Sequence, residues 1–372
     1  MQSISELRTI LKQQLNWNKA RIDCLTKMIL ALLKCRTVNL QVVAEHFDSS
    51  NNKVDSNYRR LQNFLRWFKM DYLALGRWLF KLFFSDDQPC YLSLDRTVWY
   101  WGKKPNNMLT LGGLYEGIAI PLFWEVLGKA GNSAVEDRQA LVQRFIDQCG
   151  LRSIAGLIMD REFVGKRWMQ WLVDKGVPFY ARIKDNLITY NHRHQNILIK
   201  YLFNDLNPKE KRVYPQPFKV YGQRLYLAGA RSEKGDLVVI ATNQDPQSAL
   251  AIYYQRWGIE TLFQSLKTRG FHLEATHVTH PERLKKLMGV VAMAFSWAHK
   301  IGEWQNKINP IRMKWHAKSK EYRYQYNFPR YGLIWLTQQF SRGQKSKAIK
   351  QILKLVVPDI GNAVKHCKGG AV

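Results

Sequence analysis

The sequence predicts an α/β protein whose core is preceded by a helical region and interrupted by a β-rich segment. Three observations support this fold class. Residues 1–80 have helical periodicity, strand and helix patterns alternate from Cys90 to about Lys184, and residues 185–249 contain strand-like patterns alone. At 372 residues the chain is long enough for about two domains, or for one large domain with an insertion.

Residues 1–85 are predicted to form a helical, DNA-binding domain. Stretches such as "RIDCLTKMILALLK" place apolar side chains three and four residues apart. A helix, a polar turn around residues 48–52, and a second helix carrying Arg59, Arg60 and Arg66 are compatible with a helix-turn-helix in a DNA groove. A helical bundle with a solvated basic face explains the same pattern.

The α/β core is predicted over residues 86–300. "CYLSLD" is typical of a buried strand ending at Asp95, and "IAGLIMD" of another ending at Asp160; two strands and a helix closed by Gly150 lie between them. Residues 185–249 then break the alternation, which predicts an all-β insertion. Because chemistry in open α/β sheets gathers at strand ends, both aspartates are candidate site residues.

Helices are predicted for the rest of the chain. "PQSALAIYYQRWGIETLFQSLKTRG" predicts one helix ending near Gly270, and "LMGVVAMAFSWA" predicts a buried helix. The apolar run is too short to span a bilayer, so no membrane role is expected. Residues 301–372 are predicted to be a basic, mostly helical C-terminal region.

The charge balance indicates a polyanionic partner. The chain has 57 Lys and Arg against 29 Asp and Glu, a net charge of +28, and residues 261–372 alone hold 20 basic and 5 acidic side chains. Nucleic acid is the first candidate partner and an anionic membrane the second.

The five cysteines form no C-x-x-C pair, and the N-terminus lacks a signal-peptide pattern. Both features predict a protein of the reducing cytoplasm.

Four polar residues form a stripe on the helix predicted to end near Gly270. On a helical wheel, Tyr253, Arg256, Glu260 and Lys267 fall within an arc of roughly 60° along about 21 Å. Such a stripe suits a phosphodiester strand laid past a metal-binding carboxylate. An amphipathic helix with a polar exposed face is the alternative.

Three carboxylates follow the order of the predicted core. If the strands are neighbours, Asp95, Asp160 and Glu260 can converge on two divalent cations, which prefer oxygen ligands. Two ions about 3.5–4 Å apart support in-line phosphoryl displacement. An aspartate at a strand end also serves as a turn former or helix cap, and the residues alone leave that alternative open.

The sequence resembles the DDE transposases of bacterial insertion sequences, specifically the insertion-sequence-four family with its Y-R-E-K signature. Tyr253, Arg256, Glu260 and Lys267 meet the signature spacing at every position. The surrounding patterns "LSLDRT", "IMDREF" and "GFHLEATH" are also similar. The resemblance covers roughly residues 57–335.

This resemblance implies a ribonuclease-H-like core with a β-strand insertion before the glutamate helix. Asp95, Asp160 and Glu260 are then the catalytic residues, binding two Mg²⁺ (or Mn²⁺) ions. Tyr253, Arg256 and Lys267 are expected to hold the DNA end. Trp257 matches an aromatic that often follows the signature arginine, so both a DNA contact and a buried position are open to it.

The implied activity is cut-and-paste DNA transposition in the bacterial cytoplasm, at the nucleoid. Basic N-terminal helices, including Arg59 and Arg60, would bind terminal inverted repeats, and a homodimer would pair two transposon ends before cleavage and strand transfer. The expected partner is double-stranded DNA, with no small-molecule substrate.

Family members typically form hairpin ends, and related members use a tryptophan of the insertion to stack on a flipped base. This insertion has none, although Tyr221 or Tyr226 could stack on a flipped base.

Two rival functions remain open. A ribonuclease-H-type nuclease without strand transfer needs the same triad, and a non-catalytic DNA-binding protein derived from a transposase needs none of it.

Two local features have simpler explanations than metal binding. "HLEATHVTH" matches no zinc spacing and favours structural or phosphate contacts, while Glu162 is predicted to cap the helix that follows Asp160.

Overall fold

The computed structural model describes residues 2–15, 17–47, 53–190, 195–317 and 320–341. The predicted polar turn at residues 48–52 and the C-terminal region after residue 341 lie outside the described residues.

The described residues of the N-terminal region form five helices: α1 (Gln2–Gln14), α2 (Lys19–Cys35), α3 (Leu40–Glu45), α4 (Val54–Trp67) and α5 (Tyr72–Phe83). Asn18 caps the start of α2, where its side chain accepts the backbone N–H of Ala20 at 2.9 Å. Arg36 caps the end of the helix in a left-handed conformation. The apolar side chains of α2 are almost entirely buried, which makes it the central helix of this region.

The central sheet begins with five strands: β1 (Cys90–Trp101), β2 (Lys104–Tyr115), β3 (Ile118–Leu127), β4 (Ile154–Met159) and β5 (Phe179–Ile183). Their order is β3-β2-β1-β4-β5, with the first three antiparallel and β1, β4 and β5 parallel. Helices α6 (Val135–Cys149) and α7 (Lys166–Asp174) lie between the parallel strands in sequence. This mixed α/β sheet is consistent with the expected ribonuclease-H-like core.

The segment predicted as an insertion contains β6 (Ile188–Tyr190), β7 (Asn196–Leu198), β8 (Lys211–Val213), β9 (Phe218–Val220), β10 (Gln223–Arg231) and β11 (Leu237–Thr242). β11 pairs with β5 and β10 pairs with β11, so β10 and β11 extend the core sheet. β6 and β7 pair with each other in a separate two-stranded sheet. One part of the β prediction is wrong, because Ile199–Phe203 forms a 3₁₀ turn. The turn brings Ile199 and Phe203 into the core together, although they are four residues apart.

The predicted single helix before Gly270 is wrong, because it is two helices: α8 (Ala249–Tyr254) and α9 (Trp257–Lys267). At the break, the N–H groups of Gln255, Arg256 and Gly258 bond to carbonyls three residues back. The two helices pack on different halves of the sheet. Helix α8 contacts β4, β5, β10 and β11, whereas α9 contacts β1, β2 and β3. The break therefore lies where the chain passes over the junction of β1 and β4.

The C-terminal part of the described chain contains α10 (Pro281–Ile308), β12 (Met313–His316), β13 (Glu321–Tyr324) and α11 (Phe328–Ser341). The buried helix predicted over "LMGVVAMAFSWA" is confirmed within α10. The mostly helical prediction for residues 301–372 is wrong at β12 and β13. Pro310 prevents a continuing helix, and the alternating segments that follow favour strands.

Helix α10 joins the regions of the molecule. It crosses the predicted domain boundary at residue 300 and packs against α2, β3 and α11. Across the part of the chain that the structure describes, the buried apolar side chains form one large cluster from Leu7 to Leu336 and a smaller one around α8. Among the described residues, no helix is both long and apolar enough to cross a membrane.

Candidate active site

Asp95 and Asp160 lie side by side where two parallel strands separate. The β1–β4 pairing ends at Leu94 and Met159, so the two aspartates are the next residues in register. Asp160 directly follows β4, as predicted, but the predicted end of β1 at Asp95 is wrong. β1 continues to Trp101 because its other edge stays paired with β2, where Asp95 lies opposite Thr110.

Local backbone contacts orient both aspartates in the same way. Asp95 Oδ1 accepts the N–H of Arg96 at 2.7 Å, and Asp160 Oδ1 accepts the N–H of Arg161 at the same distance. Both side chains are partly buried, with 16% and 28% of their area exposed. One oxygen of each aspartate is therefore fixed by the backbone N–H of the next residue.

Arg256 joins Asp95 to Glu260. Its Nη2 donates to Glu260 Oε1 at 2.6 Å, and its Nη1 donates to Asp95 Oδ2 at 3.4 Å. The guanidinium is buried, whereas the Glu260 side chain is 47% exposed. A single cation thus connects two carboxylates that are distant in the sequence, one on the sheet and one on α9.

Tyr253 completes the arrangement on the Asp160 side. Its hydroxyl donates to Asp160 Oδ1 at 3.3 Å, and Arg182 Nη1 lies 3.9 Å from the same oxygen. The break between α8 and α9 places Tyr253 and Arg256 at adjacent points over the sheet. The three predicted acidic residues are therefore brought to one region through two signature residues.

Burial shifts two pKa values at this site. Burial raises the pKa of Asp95 to about 6, and the nearby charges of Glu162 and Asp160 add to the rise while Arg256 opposes it. Burial, with a further contribution from Asp160, raises the pKa of Tyr253 to about 12. Tyr253 is consequently a hydrogen-bond donor at neutral pH. The pKa of Asp95 is raised mainly by burial, which disfavours the charged carboxylate.

Lys267 and Trp257 differ in exposure on α9, with Lys267 mostly buried and Trp257 exposed. Lys267 Nζ donates to the Val98 carbonyl at 3.0 Å and pairs with Glu274 at 3.0 Å. It also lies 5.7 Å from the centre of the Trp99 ring. Trp257 is 63% exposed, so of its two predicted positions the structure gives the solvent-facing one.

Glu162 does not cap the following helix, which corrects its predicted role. It accepts two hydrogen bonds from Arg96, at 3.1 Å from Nε and 3.0 Å from Nη2. Helix α7 instead begins after Gly165, without a side-chain cap. Sequence reasoning missed Arg96 and Arg182. Arg96 lies inside the "LSLDRT" pattern, next to the first aspartate, whereas nothing local to Arg182 marks it.

The basic N-terminal residues differ in their surroundings. Arg59 is exposed, whereas Arg60 Nη2 is 2.7 Å from Asp23 Oδ2. Both residues, with Arg21, line a cavity of about 650 Å³ between α2 and α4. The cavity is therefore basic, although one of its arginines already has an anionic partner.

Within the described part of the chain, no group of three or more His, Cys, Asp or Glu side chains is arranged to hold a metal ion. In the histidine-rich segment, His277 stacks on Trp101 with ring centres 4.0 Å apart, and Glu274 pairs with Lys267. These contacts agree with the structural explanation of that segment. At the triad, the positive charge between Asp95 and Glu260 is the Arg256 guanidinium.

The fold and the site define a mixed-sheet α/β protein with acidic residues at the divergence of two central parallel strands. Residues 125–297 match the family model described as the transposase DDE domain. This match contains Asp160 and Glu260 but begins after Asp95. No curated protein matches the chain significantly in sequence.

Solved structures give weaker similarities. A piggyBac transposase synaptic complex with hairpin DNA has a TM-score of 0.43 and 13% identity, covering 97% of this chain and 84% of that one. The catalytic domain of human endonuclease V has a TM-score of 0.27 and 13% identity, covering 64% of this chain and 94% of that one. At these values neither similarity bears on function.

Proposed function

We propose that the protein is a DNA transposase, which cleaves the strand at the end of a mobile element and joins it to target DNA. The observation that carries the proposal is the placement of Asp95 beside Asp160, with Glu260 linked to Asp95 through Arg256. The transposase DDE domain match over residues 125–297 supports the same function.

The three carboxylates are the residues that would hold Mg²⁺ or Mn²⁺. Their oxygen donors suit these ions, and Asp95 and Asp160 are adjacent where β1 and β4 separate. When bound, two such ions would activate the attacking water or 3′-hydroxyl and stabilise the leaving oxygen. Because Arg256 contacts two of the three ligands, it would have to share them with a metal.

The chain's own residues would position the reacting strand. Tyr253 and Arg256 would hold the DNA end at this site. In the structure the Tyr253 hydroxyl contacts Asp160, and Arg256 contacts Glu260 and Asp95. Lys267 would leave its ion pair with Glu274 and contact a phosphate of the DNA instead. Trp257, exposed at the start of α9, offers a ring on which a base could stack.

The remaining features of the proposal concern the DNA and the assembly. Terminal inverted repeats would bind the N-terminal helices at Arg59 and Arg60, and two protomers would pair two ends in a homodimer. If the ends form hairpins, Tyr221 or Tyr226 would take the stacking role of the absent tryptophan. Residues 1–85, 86–300 and 301–372 are proposed as the DNA-binding, catalytic and C-terminal regions, with residues 185–249 as the insertion.

The test uses the full chain, Mg²⁺ and a labelled duplex carrying the element's own end. We expect nicks followed by joined products. Glu260→Gln should reduce cleavage by at least about 10³-fold, because a neutral amide is a poor ligand for a hard cation, while DNA affinity changes less than about twofold. Glu233→Gln, at an exposed position in the loop after β10, is the matched control and should cleave normally.

Each outcome separates the candidate functions. Nicks without joined products would favour the nuclease, and DNA binding without nicks would favour the non-catalytic protein. Cleavage by Glu260→Gln at the wild-type rate would contradict the triad assignment.

A further inference from the structure

The strands β12 and β13 form a two-stranded ribbon that stands apart from the central sheet. They pair only with each other among the described strands, in the register Met313–Tyr324, Lys314–Arg323, Trp315–Tyr322 and His316–Glu321. All eight side chains are exposed. An isolated two-stranded hairpin is marginally stable in water, so the exposed ribbon is suited to contact with a partner.

The two faces of the ribbon have different chemistry. Residues directly opposite each other share a face, and successive residues alternate between faces. One face therefore carries the pairs Met313–Tyr324 and Trp315–Tyr322, and the other carries Lys314–Arg323 and His316–Glu321. On the first face, the Trp315 and Tyr322 rings pack edge to face, with centres 5.2 Å apart, although they remain 55% and 65% exposed.

The ribbon is also strongly basic. Among the described residues of 312–324, Arg312, Lys314, Lys320 and Arg323 stand against a single acidic residue, Glu321. Lys314 and Arg323 lie directly opposite each other, an arrangement that destabilises an isolated hairpin. Arg323 is paired with Glu321, which offsets only part of this repulsion. An anionic ligand would remove the remaining repulsion between Lys314 and Arg323.

The base of the ribbon is anchored close to the catalytic helix. The Gln325 N–H donates to the Arg312 carbonyl at 2.9 Å and closes the two strands. Two residues on, Asn327 Nδ2 lies 3.4 Å from Ser265 Oγ, on the same helix α9 that carries Glu260. Ser265 lies about 7.5 Å along the helix axis from Glu260 and about 140° around it, at 1.5 Å and about 100° per residue.

We propose that β12 and β13 form a second DNA-binding surface, which grips the duplex beside the cleaved end. Lys314 and Arg323 contact phosphates, and the aromatic face packs on sugars and bases. A two-stranded ribbon fits the major groove, and aromatic rings next to cations suit nucleic acid generally. This inference rests on the proposed function and adds a partner surface outside the triad and outside the N-terminal helices.

Charge decides between DNA and a second copy of the chain as the occupant. Two basic ribbons would repel each other, and the protein as a whole carries a charge of +28. A duplex supplies negative phosphates for the basic face of the ribbon and planar bases for its aromatic face. The contact is therefore expected to be with DNA.

The experiment measures full-chain binding to a fluorescein-labelled, mixed-sequence duplex of about 30 base pairs across a salt series. For Lys314→Ala/Arg323→Ala we expect roughly tenfold weaker binding and a salt slope smaller by about 1.8, since each phosphate contact contributes about 0.9. Trp315→Ala/Tyr322→Ala should weaken binding at least about fivefold and leave the slope unchanged. Because all four positions are exposed, the thermal unfolding of both variants should match that of the wild type.

The matched control is Lys175→Ala/Lys234→Ala, which removes two exposed charges elsewhere on the surface. An equal loss of slope in the control would overturn the proposal, as would wild-type affinity in both ribbon variants. The proposal would also be wrong if the ribbon variants turned a dimer into a monomer without changing DNA affinity. Failure of the wild type to bind DNA would refute the proposed function and this inference together, whereas unchanged ribbon variants beside an active wild type would refute only the inference.

Discussion

Arg256 shows what residue spacing can and cannot predict. Its pairing with Glu260 follows from the sequence, because residues four apart on a helix are neighbours. Its second contact, with Asp95, depends on how α9 crosses the sheet and has no local signal. The sequence also failed to indicate that Lys267 is held by Glu274 and a β1 carbonyl, because that contact requires the position of two separate elements.

His299 is a buried residue whose protonation should control stability. Its ring is completely buried among aromatic side chains, including Phe83 and Phe328, and neither ring nitrogen has a hydrogen-bond partner among the described residues. Glu303 Oε1 lies 3.8 Å from Nδ1, and Lys300 is also near. Burial is the main cause that lowers the pKa of His299 to about 4, and the charge of Glu303 opposes the shift.

The lowered pKa predicts a specific loss of stability in acid. Between pH 6.5 and pH 4 the unfolded chain binds a proton at this position and the folded chain does not, so the unfolding free energy falls as the pH falls. We expect His299→Phe to lack this component, which amounts to roughly 3 kcal/mol. Urea unfolding of both proteins across this range provides the measurement. Parallel stability curves would contradict the neutral, buried state of His299.

Among the helices and strands, sequence patterns predicted a helix end that depends on local residues, but not a helix break that depends on packing. The helix ending at Gly150 was predicted correctly, because α6 stops where this glycine adopts a φ of +85°. The break between α8 and α9 was not predicted, since both segments have good helical patterns. It arises from packing on two halves of a twisted sheet. Gly258 contributes, because a Cβ there would lie 2.9 Å from Leu114 and 3.3 Å from the Ile118 backbone.

Helices α10 and α11 approach each other closely at two glycines. A Cβ at Gly302 would lie 1.9 Å from the Phe328 carbonyl oxygen, and one at Gly332 would lie 1.9 Å from that of Ala298. Backbone atoms cannot rotate away as side chains do, so a methyl group there would force the helices apart. This contact also positions the start of α11, which directly follows the ribbon.

Gly302→Ala is therefore expected to destabilise the protein by about 2 kcal/mol, even though alanine favours helices by up to about 1 kcal/mol. The control is Gly128→Ala, where a Cβ would meet no atom within 4 Å, and its unfolding free energy should change by less than about 0.5 kcal/mol. Urea unfolding at neutral pH measures both. A Gly302→Ala protein as stable as the control would rule out the close helix contact.

Considered over the full chain, composition predicts a class of partner, whereas the contacts between distant segments cannot be predicted from it. The net charge of +28 favours nucleic acid as the partner, and it follows from residue counts alone. The continuity of the core from α1 to α11 could not be predicted, because contacts of α2 with α10 and α11 join segments far apart in the chain. Sequence patterns identify which faces are apolar but not which of them meet.

The same net charge predicts that DNA controls assembly. Without DNA, repulsion between protomers of charge +28 should keep the protein monomeric at low salt, where charges act over more than about 10 Å. A duplex neutralises this charge, so we expect complexes of two protomers with two duplex ends.

Sedimentation velocity with labelled duplex and the Glu260→Gln variant can measure this without cleavage. The population of such complexes should fall steeply between about 50 and 200 mM salt, as phosphate contacts exchange with counterions. A stable dimer at low salt without DNA would show instead that an apolar interface, rather than the nucleic acid, holds the protomers together.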